Sequence, residues 1–142
     1  MASNTLNKLR QAFSRMISLK AFDTSIDKLQ VIDASPGSCT CQLKISEKHT
    51  NLNGDLHGGA IALLIDNVST LALYSNENGV RGVSVNMHIS YMRSAKTGDE
   101  IIIDSKIEKS GKKLAFLTAE IRHKNSNKII ATGTHTKFVG HH

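Results

Sequence analysis

Tryptophan is absent from this chain of 142 residues, aromatic side chains make up only 4%, and proline occurs once. The core must therefore be built from Leu, Ile, Val, Ala and Met, with four Phe and two Tyr as minor contributors. Scarce aromatics also weigh against nucleic acid as a partner, because such surfaces interleave stacking rings with basic residues. The net charge of +6 favours anionic partners in general without choosing among them. Cysteine is nearly absent too. Cys39 and Cys41 are the only two, and their spacing in an extended segment puts both on one strand face. A disulfide between them would be strained, and two sulfurs without a spaced His set make a poor zinc site. Both read as core residues in a reducing compartment, and no metal or cofactor is expected. No apolar run approaches the ~20 residues of a membrane span, so neither membrane insertion nor a secretory signal is expected.

What is present suits one domain spanning the chain, with a core of about 28–140 behind an N-terminal helix of about 4–20. Leu6, Leu9, Phe13 and Ile17 make one stripe of an amphipathic helix. Lys8, Arg10, Arg15 and Lys20, with no acid before Asp23, leave a mitochondrial presequence as a second reading. His141 and His142 read as the remnant of a tag.

Residues 29–34 and 39–45 read as strands joined by the turn Ser35-Pro36-Gly37-Ser38. A polar stretch leads to a long Ala/Leu-rich run, 56–74, whose length and composition favour a buried helix. From Gly82 the period becomes two, Val83, Val85, Met87, Ile89 and Tyr91 alternating with Ser84, Asn86, His88 and Ser90. Three further strands, 100–108, 114–123 and 129–138, are separated by short turns that require antiparallel neighbours. The fold class is α+β. One helix cannot cover both faces of six strands, so an uncovered apolar face and free edges predict self-association.

Asp66 stands about eight positions inside the apolar helix, where Asp is a poor helix former and cannot be an N-cap. Burying it demands hydrogen bonds or a watered cavity; otherwise it points to solvent through a gap. His57-Gly58-Gly59 at the helix start offers unpaired N–H groups and the positive dipole end to a developing oxyanion, or is simply a tight passage from loop to helix. Asn51 and Ser84 flank these elements as uncharged polar groups able to hold water or a carbonyl. Gly-x-Ser-x-Gly, P-loop, dinucleotide and zinc-protease motifs are all missing.

The run Asn51-x-x-Gly54-x-x-His57-Gly58-Gly59, then Asp66-Asn67, then Gly82-Val83-Ser84-Val85-Asn86-Met87-x-Ile89-x-Tyr91-Met92, resembles the PaaI-type hotdog thioesterases. The likeness extends from the N-terminal helix through Lys112-x-Leu114-Ala115-Phe116 to His135-Thr136-Lys137. It implies a six-stranded antiparallel sheet wrapped around a central helix, dimers with sites at the subunit interface, and dimers paired into homotetramers. It implies hydrolysis of acyl-coenzyme A, medium- to long-chain acyl groups favoured, in the cytoplasm with a mitochondrial association. Asp66 would be general base or nucleophile, with the Gly58 N–H polarising the carbonyl. Asn51 and Ser84 would position the reacting groups, and His57 would support the loop near the carbonyl. Asn51 and Gly58 of one protomer would face Asp66 and Ser84 of its partner. Coenzyme A would lie along Ser84, Asn86, Tyr91, Met92, Arg93, Ser94, Ala95, Lys96, Lys109, Ser110, Gly111, Lys112, Lys113, Leu114 and Phe138. Its phosphates suit Arg93, Lys96, Lys109, Lys112 and Lys113, although each lysine reads equally well as a solvated turn charge. Asp55 departs from the family pattern and is expected either to cap the helix or to weaken an oxyanion. A hotdog hydratase or dehydratase using His57 with Asp66, and a non-catalytic acyl-CoA-binding protein, are the rival readings.

Overall fold

The computed structural model describes Ser3–Gly140; Met1 and Ala2 lie outside the described residues, as do His141 and His142 with their reading as a tag. The first helix, α1 (Asn4–Ser18), starts where Ser3 Oγ accepts the Leu6 N–H at 3.0 Å. Leu6, Leu9, Ala12 and Phe13 are buried, so the amphipathic stripe is part of the core. Two of its cations are engaged locally: Arg10 donates to the Val31 carbonyl at 3.0 Å, and Lys8 sits 4.6 Å from the centre of the Tyr74 ring.

Strands β1 (Gln30–Ser35) and β2 (Ser38–Lys44) form the expected hairpin, in which Gly37 adopts φ +88°, a conformation that favours glycine. Helix α2 (Gly58–Tyr74) follows, then β3 (Val83–Tyr91), β4 (Glu100–Ser110), β5 (Leu114–His123) and β6 (Ile129–Phe138). All six strands make one antiparallel sheet in the order β1-β2-β4-β5-β6-β3. The sheet curls around α2, whose Ile61, Leu64, Ile65, Val68, Leu71 and Ala72 are buried at helical spacing. Gly133 on β6 allows the close approach, since a Cβ there would lie 3.2 Å from the Ile65 side chain. Cys39 and Cys41 are buried on the helix side of β2, sulfurs 3.7 Å apart. Their mutual hydrogen bond, then burial, push the Cys41 thiol well above its ordinary 9.0, so it behaves as a small apolar group.

The expected apolar outer face is not there. The side of the sheet turned away from α2 carries Thr40, His88, Asp104, Thr118, Glu120, Thr132 and Thr134 around a cleft of about 510 Å³. Asp104 is paired there with Arg122. A polar outer face lets an antiparallel sheet meet water on that side. Exposed apolar side chains include Leu114 and Phe116 on β5, Leu19, Phe22 and Leu52 in the connecting segments, and, on the free edge strand β3, Val83, Val85 and Tyr91, each more than half exposed. Helix α2 lies mainly across β2, β4 and β5. The helix-side residues of β3 are therefore left without a full cover. Among the described residues no helix is long and apolar enough to cross a membrane.

Candidate active site

Strict alternation along β3 would put Ser84 on the outer face with Asn86 and His88. The register shows otherwise: Asn86 pairs with Thr136 but Ser84 pairs with Lys137, so Val85 is an extra residue, a β-bulge. The bulge turns Ser84 to the helix side. There its Oγ lies 2.7 Å from His135 Nε2. The other imidazole nitrogen, Nδ1, is 2.7 Å from Ser69 Oγ on α2. Asp66, one turn earlier on the same helix, has Oδ1 at 4.0 Å from His135 Nε2. Burial first, then the Lys137 charge, lower the His135 pKa from its ordinary 6.5, against the opposing pull of Asp66. The imidazole is neutral at neutral pH, and the 4.0 Å contact is not an ion pair.

Asp66 is not enclosed by apolar groups within one protomer. Its side chain is 46% exposed, so it faces a gap beside β3. Behind it the Lys137 ammonium is buried and donates to Thr70 Oγ1 at 2.6 Å. Burial lowers the Lys137 pKa from 10.5, opposed by Asp66.

The other candidate residues gather at the N-terminus of α2. His57 is the N-cap, its Nδ1 accepting the Gly59 N–H at 2.8 Å. The Gly58 N–H has no acceptor among the described residues. Such an unpaired first-turn donor at the positive end of a helix suits an oxyanion. Asn51 Oδ1 accepts from the Asn53 and Asp55 N–H groups at 2.9 and 3.2 Å. Its carboxamide oxygen is thus occupied by the loop, leaving the NH₂ as an outward donor. Asp55 does not cap the helix; its carboxylate pairs with Lys96, because a bridge between the two backbones brings these side chains together.

Known proteins carry the same arrangement of chain. The thioesterase superfamily model matches residues 53–130. Acyl-coenzyme A thioesterase 13 of Mus musculus is 44% identical over 140 residues, covering 99% of each chain. This chain belongs to the thioesterase superfamily. The human acyl-coenzyme A thioesterase 13 is 43% identical over 132 residues, 93% of this chain and 94% of that one. The crystal structure of zebrafish thioesterase superfamily member 2 superposes with a TM-score of 0.94 at 44% identity, covering 97% of this chain and all of that one.

In this thioesterase the residues expected along coenzyme A fall into two groups at opposite ends of β3. Tyr91 packs over Gly58, its OH 3.4 Å from the Gly58 carbonyl, and the chain to Lys96 continues from there. Arg93 donates to the Ile129 carbonyl, Ala95 is buried, and Lys96 is held by Asp55. Met92 and Ser94 are exposed. At the other end, Phe138 pairs with both Val83 and Leu114, beside the exposed hairpin residues Lys109, Ser110, Gly111, Lys112 and Lys113. The groups are separated by the length of a nine-residue strand, roughly 27 Å. Asn86 is exposed on the outer side of the bulge.

Sequence reasoning missed His135, Ser69, Lys137 and Thr70. A signal existed. Ser69 and Thr70 follow Asp66 by three and four positions, one helical face, and His135 and Lys137 continue the inward-facing positions of Ala131 and Gly133 along β6. Among the described residues no group of His, Cys, Asp or Glu is placed to hold a metal.

Proposed function

We propose that this thioesterase hydrolyses acyl-coenzyme A in a site that two copies of the chain build together, medium- to long-chain acyl groups being preferred. The observation that carries the reading is the division of the chemistry along one helix. Gly58 and Asp66 are eight residues apart on α2, about 12 Å of rise. A carbonyl oxygen bound by one and a water activated by the other must lie within about 3 Å of their partners and of each other. One protomer cannot arrange that.

Antiparallel pairing of two β3 edges about a two-fold axis supplies the missing half. It sets the Tyr91–Gly58 end of one protomer against the Ser84–Asp66 end of its partner, and joins the two coenzyme A groups. It also covers Val83 and Val85. The acyl chain would run between the helices along the partly buried Leu63 and Met87, an apolar path that supports the chain-length preference. The dimer would pair again into a tetramer through the polar outer faces, a cooler interface than an apolar one.

The chemistry follows from the groups. Asn51 and the Gly58 N–H draw electron density onto the thioester oxygen. A water held at Asp66 attacks the carbonyl carbon; the C–O bond forms as the carboxylate takes the water proton. The tetrahedral oxyanion collapses, the C–S bond breaks, and the proton returns to the departing thiolate. A carboxylate base contributes on the order of 10²- to 10⁴-fold and one oxyanion donor on the order of 10²- to 10³-fold. No step draws on a cofactor. We place the enzyme in the cytoplasm with a mitochondrial association; cell fractionation tests this. The presequence alternative is disfavoured because α1 is packed into the core.

The deciding experiment follows thiol release across an acyl-coenzyme A panel that includes palmitoyl- and myristoyl-coenzyme A. Hydrolysis releases thiol, whereas a hydratase or a binding protein does not. Asp66→Asn should keep the oligomer and lose at least about 10²-fold in kcat; near-normal turnover sinks the assignment.

A further inference from the structure

His135 takes no part in the scheme above, yet it is buried between two hydroxyls, Ser69 of α2 and Ser84 of β3. Its hydrogen bonds have a forced direction. Ser69 Oγ lies 2.6 Å from the Ile65 carbonyl and 3.1 Å from the Asp66 carbonyl. Two oxygens 2.6 Å apart repel unless a proton stands between them, so the single Ser69 hydroxyl proton is committed to the backbone. Ser69 Oγ then meets His135 Nδ1, 2.7 Å away, only as an acceptor. The proton of that bond must come from the imidazole, which fixes the Nδ1–H tautomer. In a neutral ring Nε2 is then a bare lone pair. Ser84, 2.7 Å from Nε2, must donate to it.

We propose that His135 is a positioning residue, locked in one tautomer by Ser69, that consumes the Ser84 proton so that Ser84 offers only lone pairs to the reacting water. The attacking water is then held through both hydrogens, one on Asp66 and one on Ser84. Its own lone pair is left to face the carbonyl carbon. Both acceptors lie against the same imidazole nitrogen, at 4.0 and 2.7 Å. Without His135 the Ser84 hydroxyl turns its proton to the Asp66 carboxylate, the strongest acceptor nearby, and occupies the lone pair that the water needs. Neutrality is part of the device, because an imidazolium donates from both nitrogens and reverses the Ser84 bond. Burial and the Lys137 charge oppose that proton.

The inference rests on the hydrolytic reading, and the tests separate the two. The tautomer is read by long-range nitrogen–proton NMR on the intact, histidine-labelled oligomer at neutral pH, independently of turnover. Nδ1–H is expected at His135, whereas Nε2–H or an imidazolium overturns the proposal. In kinetics, His135→Leu should lower kcat by about tenfold or more with KM little changed. His135→Gln, whose Oε1 can stand where Nε2 stood, should restore most of that loss. In a Ser84→Ala background His135→Leu should cost nothing further; an undiminished cost there means a merely structural role and ends the proposal. A failure of Asp66→Asn to lower turnover would instead defeat the hydrolytic reading.

Discussion

His135 and Lys137 make this site sensitive to pH. The His135 pKa is lower folded than its ordinary 6.5, so in mild acid the unfolded chain binds a proton that the folded chain refuses. Its contribution to stability is complete above about 6.5 and is lost as pH falls through that window. The charged groups facing it are Lys137 on its own strand and Asp66 from α2, with Arg81 acting on Lys137. Lys137→Met removes a buried ammonium whose desolvation costs free energy at neutral pH. Its thermal midpoint should rise, and the acid limb of kcat/KM should move upward because burial, the larger cause of the lowered His135 pKa, remains while the added Lys137 repulsion is gone. Differential scanning fluorimetry and a pH–rate profile check both directions. Asp66 was legible in the sequence as an acid out of place on an apolar helix. Its half-exposure was not, since whether a helical face meets a wall or a gap depends on where the neighbouring strand ends.

At the level of elements, α2 carries both Gly58 and Asp66 of the proposed site, so its start and its seat on the sheet matter separately. His57→Ala removes the N-cap and should cost about 1 kcal/mol of stability, read by denaturant titration, together with some oxyanion binding at Gly58. Gly133→Ala forces a Cβ to within 3.2 Å of Ile65, lifting the helix beside Asp66. A cost of about 1–3 kcal/mol and a fall in kcat larger than the rise in KM are expected. The helix, the strands and the hairpin turn could all be read from periodicity and turn residues. The bulge at Val85 could not: Ser84 followed a clean period of two, and only its pairing opposite Lys137 shows that it faces the helix.

The whole molecule is shaped by what one protomer leaves open. Its outer face carries mostly polar side chains around the cleft, its β3 edge exposes Val83, Val85 and Tyr91, and its candidate groups Gly58 and Asp66 lie at the start and the middle of one helix. Val85→Lys puts a charge on that edge and should shift the protein to monomers on sedimentation, with turnover falling in step. A folded monomer that keeps full activity would show that the site is complete within one chain.

While Gly58 and Asn51 stood out only through the family resemblance, the sequence by itself determined the class of fold, the order of its elements, the burial of the apolar stripes and the identity of Asp66 as an anomaly worth chemistry. These depend on local period and on residues whose conformational demands are intrinsic. Tertiary structure alone decided that Ser84 turns inward, that Asp55 pairs with Lys96 rather than capping a helix, that the outer face is wet, and that His135 stands between Ser69 and Ser84. Each of these is set by register between strands distant in sequence, which a one-residue slip inverts and no local pattern records.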